Sequence, residues 1–234
     1  MKGFMKEILR RIGVWTNALP RANAIARSVH GERNSVLYKD AKLKSVRFDI
    51  VGSGNHILIQ PGCVLNKVTF YIRGDNHRIL IQDRCRFNDG ANIWLEGDHC
   101  SLEIGRDSTF ENVHLALTEH GSKLSIGQDC MFAYGIEVRT GDSHSVISRD
   151  TNERINHVKD VSIGDHVWVA AHCIILKGVS IGANSIVASG AVVTRSFDTE
   201  DIVIGGNPAT KLKDGITWSR DRIPRGDSEP CRAP

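Results

Sequence analysis

Residues 163–193 read IGDHVWVAAHCIILKGVSIGANSIVASGAVV, and an aliphatic side chain returns at every sixth position: Ile163, Val169, Ile175, Ile181, Val187 and Val193. A step of six matches neither the 3.6-residue turn of an α-helix nor the two-residue alternation of a strand. It is the step of a parallel β-helix, in which short strands coil and stack. Each turn then adds aliphatic side chains to one continuous core.

The same step runs upstream in sets of three: Ile59, Leu65 and Tyr71; Ile81, Phe87 and Ile93; Ile104, Phe110 and Ala116; Ile126, Phe132 and Val138. Successive sets begin 22 or 23 residues apart, against about 18 for an uninterrupted three-sided turn. The surplus falls at one corner, in Gly74-Asp-Asn-His77, Gly97-Asp-His99 and His120-Gly-Ser122, with Gly54-Asn-His56 in the same place before the first set. Gly, Asp and Asn tolerate the tight backbone a corner demands. The count is about six turns, four with a small corner bulge, then a long excursion over 139–160, then two clean turns. Cys63, Cys85, Cys130 and Cys173 each stand four residues after a periodic aliphatic, where Ser108, Ser185 and Ala191 stand elsewhere. A narrow coil needs small side chains where it bends, so these thiols are packing residues. Cys100 and Cys231 are left without that explanation. No CxxC pair, zinc spacing or disulfide framework occurs, which fits reduced thiols and a cytoplasmic location.

The chain has 234 residues, 41% hydrophobic and only 6% aromatic, with a formal charge of +3. That suits one thin solenoid with small appendages, and the charge is too mild to argue for a nucleic-acid partner. No apolar run is long enough for a transmembrane helix. The division expected is an N-terminal helical or cap segment over 1–50, a coil over 51–204 with its inserted loop, a turn and short helix over 205–219, and a flexible tail over 220–234. The amphipathic stretch Met1–Asn17 (Phe4, Ile8, Leu9, Ile12, Val14, Trp15) reads as a short helix covering the first turn, with peripheral membrane contact as the alternative.

Solenoids carry insertions on one face, often the binding face. The excursion here holds Arg139-Thr-Gly-Asp142-Ser-His144, then Arg149, Arg154, Asn156 and His157. A loop histidine titrates near neutral pH and suits a general base. Asp142 is a candidate to orient that imidazole, or a turn former in Gly-Asp-Ser; Glu137 is a weaker candidate. Arg139, Arg149 and Arg154 suit an anionic sugar, or ion pairs with Asp142, Asp150 and Glu153.

Ile163-Gly-Asp-His-Val-Trp168-Val-Ala-Ala171, Gly178-Val-Ser-Ile-Gly182-Ala-Asn-Ser-Ile-Val-Ala-Ser189-Gly and Gly205-Gly-Asn-Pro208-Ala together resemble the hexapeptide-repeat acyltransferases, nearest to the O-acetyltransferases of galactosides and surface polysaccharides. The resemblance is specific over about 126–213. It implies an all-β, left-handed parallel β-helix, a homotrimer with sites between subunits, and acetyl-CoA as co-substrate without a metal. It singles out His144, 24 residues before Trp168, as the catalytic base removing a proton from a saccharide hydroxyl. For the acyl donor it points to Trp168, Ala171, Ser189, Thr194 and Arg195, with Lys211 and Lys213 beside Arg195 as a basic set for phosphates; relatives carry Arg where Thr210 stands. Asn112 corresponds to an acceptor-binding Asn, beside Arg139 and Arg154. The function implied is O-acetylation of a saccharide, a surface or capsular polysaccharide unit. Alternatives are N-acylation of an amino sugar, a γ-carbonic-anhydrase-type zinc enzyme on the same coil, and a non-catalytic β-helix scaffold.

Overall fold

The computed structural model describes residues 25–224. Every regular element among them is a strand. The chain winds through three parallel sheets, each a face of one prism. Face 1 stacks eight strands from Ala26–His30 to Val192–Val193, and face 2 stacks seven from Ser35–Leu37 to Ser180–Ile181. Face 3 stacks nine, from Lys42–Lys44 through Trp168–Val169 to Ile202–Gly206 and Ala209–Asp214. No helix among the described residues is long and apolar enough to cross a membrane.

The coil starts earlier than the hexapeptide step indicated. Residues 26–50, expected in a cap segment, already supply strands to all three faces, raising the coil to about eight turns. These turns escaped notice because their core residues Tyr38, Leu43 and Phe48 recur at a step of five. The expected N-terminal helix lies outside the described residues.

Two positions assigned to the core point outward. Ile93 pairs with Phe70 and Leu115, so their neighbours Tyr71 and Ala116 stand on the outer side of face 1. The chain turns from Leu65 to Phe70, and from Phe110 to Leu115, in five residues. Gly90 and Gly135, at φ 111° and 69°, add the sixth in alternate turns. One exchanged residue reverses which side of a strand faces in.

Side-chain ladders run through the prism. Phe48 stacks on Phe70 at 4.8 Å, and Phe110 on Phe87 at 4.5 Å and Phe132 at 4.8 Å, all fully buried. Cys63, Cys85, Ser108 and Cys130 line one bend: the Cys85 thiol donates to the Gly105 carbonyl at 3.1 Å, and Ser108 Oγ to that of Gly127 at 2.9 Å. Burial pushes the Cys130 thiol up to about 12, so it stays protonated and inert. A further ladder explains Cys100. It sits behind Asn55 and His77 at the bulged corner, where the His77 amide donates to Asn55 Oδ1 at 2.9 Å and the Cys100 amide to His77 Nδ1 at 3.1 Å. Cys231 lies outside the described residues. At this corner a Cβ on Gly74 (φ 115°) would lie 1.5 Å from the Gly97 carbonyl oxygen, so only glycine fits.

The short C-terminal helix expected over 209–218 is instead the strand Ala209–Asp214, antiparallel to Ile202–Gly206. Folding back at Asn207-Pro208 pairs backbone groups that the last edge of face 3 would leave open. The chain then recrosses the outside of face 3, burying Trp218. Arg220, expected to open a flexible tail, is anchored there: Nε donates to Asp129 Oδ1 at 3.0 Å and Nη1 to Thr109 Oγ1 at 2.8 Å.

Candidate active site

The excursion leaves the coil after the strand Ile136–Arg139 and returns at Val161–Ile163. Thr140 is fully buried at its root; its Oγ1 accepts from the Thr118 amide at 3.1 Å, and its carbonyl accepts from the Lys159 amide at 2.9 Å, closing the arm. Further out the arm pairs with itself through an antiparallel bridge between Ile147 and Arg154. Val146, Ile147 and Ile155 remain exposed at 52%, 48% and 62%.

Asn156, only 9% exposed, organises the arm. Its Nδ2 donates to the His144 carbonyl at 2.7 Å and to Asp142 Oδ2 at 2.9 Å. Its Oδ1 accepts from the Val146 amide at 2.7 Å and from Arg154 Nε at 3.1 Å. Lys177, from the next turn, pairs with Asp142 and donates to the Asn156 carbonyl at 3.0 Å. Partial burial pushes the Asp142 carboxyl up, but the Lys177 and Asn156 hydrogen bonds outweigh it and hold the group below the usual carboxylate range. His144 is thereby fixed through its backbone, its amide also donating to the Asp142 carbonyl at 2.8 Å. Its ring is exposed and forms no hydrogen bond among the described residues. The Asp142 carboxylate is engaged by Lys177 and Asn156 rather than by the imidazole.

The acceptor candidates separate. Arg154 grips Glu119 through both terminal nitrogens, at 2.9 and 2.5 Å, and Arg139 pairs with Glu137 at 3.1 Å. Asn112 lines a shallow groove at the corner between faces 3 and 1 with Asn92 and His114, its Nδ2 donating to the Asp89 carbonyl at 3.2 Å.

The donor candidates follow the C-terminal turns. Ala171 and Ser189-Gly190 occupy one corner on consecutive turns, the Gly190 amide donating to the Ala171 carbonyl at 2.9 Å. A Cβ on Gly190 would meet nothing within 4 Å, so this corner is open to a slender chain. Thr194 and Arg195 occupy the next corner, exposed, with the Arg195 guanidinium 5.3 Å from the centre of the Phe197 ring. Lys211 is partly neutralised by Asp214 at 2.6 Å, while Lys213 is exposed and makes no ion pair among the described residues. A small-residue corner beside exposed cations fits a pantetheine arm and its phosphates.

Trp168 stands on the outer side of face 3, in register with Met131 and Ile186. Trp218 packs 6.2 Å from it and stacks on His166 at 4.1 Å. His166 is not an idle surface group: Nδ1 lies 2.7 Å from Asp129 Oδ2, and Nε2 lies 3.1 Å from the Trp218 carbonyl. The Trp168 pocket, lined also by Arg86, Asn88, Thr109, Glu111 and Arg220, is well away from the corner where the arm emerges. Sequence reading missed Asn156, Lys177 and Arg220 as organisers. Lys177 does stand two residues after periodic Ile175, at the corner Arg195 occupies one turn later. Arg220 has no signal, since its partner Asp129 is 91 residues away.

Among the described residues no cluster of three or more His, Cys, Asp or Glu is arranged to hold a metal ion. Residues 160–195 match the family described as bacterial transferase hexapeptide (six repeats). A polysialic acid O-acetyltransferase of Neisseria meningitidis is 37% identical over 133 residues, 57% of this chain and 61% of that protein, so the match spans about three fifths of that relative's length. The solved polysialic acid O-acetyltransferase OatWY is similar with a TM-score of 0.77 and 32% identity, covering 86% of this chain and 93% of that one. The polysialic acid-specific acetyltransferase NeuO gives 0.76 and 27%, covering 85% and 83%. A stacked hexapeptide coil, and a relative at 32% identity matched over nearly its whole length, establish that the chain belongs to the hexapeptide-repeat acyltransferase family.

Proposed function

We propose that this protein is an acetyl-CoA-dependent O-acetyltransferase acting on a surface polysaccharide, with His144 as general base. The observation that carries the proposal is the His144 imidazole, exposed and without a hydrogen-bond partner among the described residues, on an arm otherwise pinned by Asn156 and Lys177. A base that must meet a substrate proton needs a free nitrogen and a fixed backbone.

The neutral imidazole takes the proton of a sugar hydroxyl as that oxygen attacks the thioester carbonyl. The tetrahedral oxyanion requires aimed donors, such as backbone N–H groups. Its collapse expels the thiolate, which recovers the proton from the imidazolium. Acetyl-CoA supplies the activated acyl group; Ala171, Ser189, Thr194, Arg195 and Lys213 are the residues suited to hold it. Asp142 acts through the arm, its carboxylate tying the root to Lys177 and its carbonyl holding the His144 amide.

The enzyme works as a homotrimer, the arm of one subunit meeting the Trp168 pocket of the next. Two observations support this: arm and pocket leave one subunit at different faces, and Val146, Ile147 and Ile155 are exposed apolar groups suited to burial against a neighbour. Five free buried thiols among the described residues and the use of acetyl-CoA fit a cytoplasmic location.

The test is coenzyme A release over a panel of polysaccharides including polysialic acid. His144→Ala should lower turnover at least ~100-fold. Unchanged turnover removes His144 from the mechanism; a monomer by light scattering removes the shared site.

A further inference from the structure

One corner of the coil carries a row of side chains in which a single member is large. Phe87, Phe110, Phe132, Val169 and Val187 stand in register on face 3. Two residues after each, where the chain turns toward face 1, come Asp89, Asn112, Tyr134, Ala171 and Ser189. Consecutive members are about 4.8 Å apart, the spacing of paired strands. Backbone bonds fix the stacking: the His172 amide donates to the Tyr134 carbonyl at 2.8 Å, and the Gly190 amide to that of Ala171 at 2.9 Å. Ala171 and Ser189 are small, Asn112 and Asp89 are polar, and Tyr134 stands between the two pairs with 55% of its surface exposed.

The tyrosine ring is braced. It meets the His172 imidazole edge-on, with centroids 5.6 Å apart and planes at 87°, a favoured aromatic geometry. His172 in turn sits over Gly135, where a Cβ would lie 2.7 Å from its Nδ1. Two hollows stop on either side of Tyr134. The Trp168 pocket reaches Ala133, and the Asn112 groove, about 490 Å³, reaches Gly135. Toward the C-terminal turns the row is open, through Ala171 to Ser189-Gly190. Tyr134 is therefore a ridge that closes the small-residue corner at one end and parts the two hollows beyond it.

We infer that Tyr134 is a specificity-determining residue: its ring, braced by His172, is the end wall that limits the length of the acyl group on the donor. The inference rests on the acyl-transfer reading above and adds which acyl groups that site accepts. Arg195 and Lys213, suited to the donor's phosphates, lie on the last turns of the coil. A pantetheine arm leaving them along Ser189 and Ala171 runs toward the N-terminal turns, so its thioester end is the part that meets Tyr134. An acetyl group ends in one methyl, which packs against the ring. Each added methylene must enter the space the ring fills, or bend into the Trp168 pocket or the Asn112 groove. Those hollows flank the reacting carbonyl and give the acceptor oxygen its approach, so a longer chain turned into either blocks attack. Length is penalised by both routes, and one methylene in a fitted apolar site changes kcat/KM by about 10- to 200-fold.

The experiment measures kcat/KM of the full chain for acetyl-, propionyl-, butyryl- and hexanoyl-CoA with one saccharide acceptor. Wild type should lose at least about tenfold from acetyl to propionyl and again to butyryl. In Tyr134→Ala the acetyl-to-butyryl ratio should collapse to within about fivefold, because the space taken by the ring becomes available to the chain. Tyr134→Phe keeps the wall and should keep the wild-type ratio. His172→Ala removes the brace and should shift the ratio in the same direction, by less. A ratio unchanged in Tyr134→Ala overturns the inference, as does one unchanged in His172→Ala should the first variant not fold. Calorimetry of the same acyl-CoAs without acceptor reads the wall without turnover. Length-selective binding that is lost in Tyr134→Ala, with no acyl transfer to any saccharide, would sink the O-acetyltransferase proposal and leave the wall standing. Equal affinity of wild type for acetyl- and butyryl-CoA, joined to equal transfer of both groups, would sink the wall and leave the acyltransferase.

Discussion

Asn156→Ala tests whether order in the arm governs turnover. The substitution removes four hydrogen bonds, to the His144 carbonyl, Asp142, the Val146 amide and Arg154. Neutral hydrogen bonds contribute about 0.5–1.5 kcal/mol each and charged ones about 1.5–3. The charged pairs must be discounted, since the Asp142 and Arg154 side chains are 42% and 27% exposed and water replaces part of what is lost. About 2–3 kcal/mol therefore remains for holding the arm. If that energy keeps His144 in its reacting position, kcat falls roughly 30- to 150-fold, at about 1.36 kcal/mol per decade. The coil core is untouched, so the global melting temperature should barely move, while amide exchange over 144–156 should accelerate. Asn156→Asp keeps the acceptor but sets a second carboxylate 2.9 Å from that of Asp142, and should be at least as damaging. The assay is single-turnover acetyl transfer with exchange measured on the same samples. Faster exchange with kcat within threefold of wild type would refute the reasoning, because arm order would then be irrelevant to the base.

Phe110→Ala should cost about 3–5 kcal/mol in urea unfolding, since a fully buried ring stacked on two others leaves a cavity in a narrow prism; a loss under 1 kcal/mol would mean the coil collapses into the gap. Stability should also fall with acidification. Burial holds the His77 imidazole below its ordinary value against the opposing hydrogen bond to the Arg73 carbonyl, and burial with the nearby Arg139 acts likewise on His114 against the pull of Glu137. The unfolded chain therefore binds protons that the native one refuses once pH drops below about 6.5, and stability is full above that value and lost beneath it. Melting curves from pH 7.5 to 5 should show this slope, and His77→Gln should flatten it; identical slopes would exclude His77 as its source.

The coil was legible because its cause is local and repeated: every face of every turn must send apolar side chains into the same narrow core, and the stretch Ile163 to Val193 states that step six times over. The same logic failed where the corner shortened by one residue, at Tyr71 and Ala116, because hydrophobicity alone does not reveal which of two adjacent apolar residues turns inward. It failed again over 26–50, where the step is five. The arm announced itself as a break in the period, and His144 by its place before Trp168. How Asn156 and Lys177 hold that arm was invisible, since hydrogen bonds between loop side chains leave no periodic trace.

By itself, then, the amino-acid order determined the winding, the aliphatic and cysteine ladders and the one long departure from the coil, all products of contacts between residues a single turn apart. Tertiary structure alone decided that the final segment returns as a strand, that Trp218 and Arg220 lie across face 3, and that two arginines from distant segments border one tryptophan. The hydrogen bonds that hold Trp218 and Arg220 there join residues 52 to 113 positions apart, and at such separations only the closed shape of the prism brings the partners together.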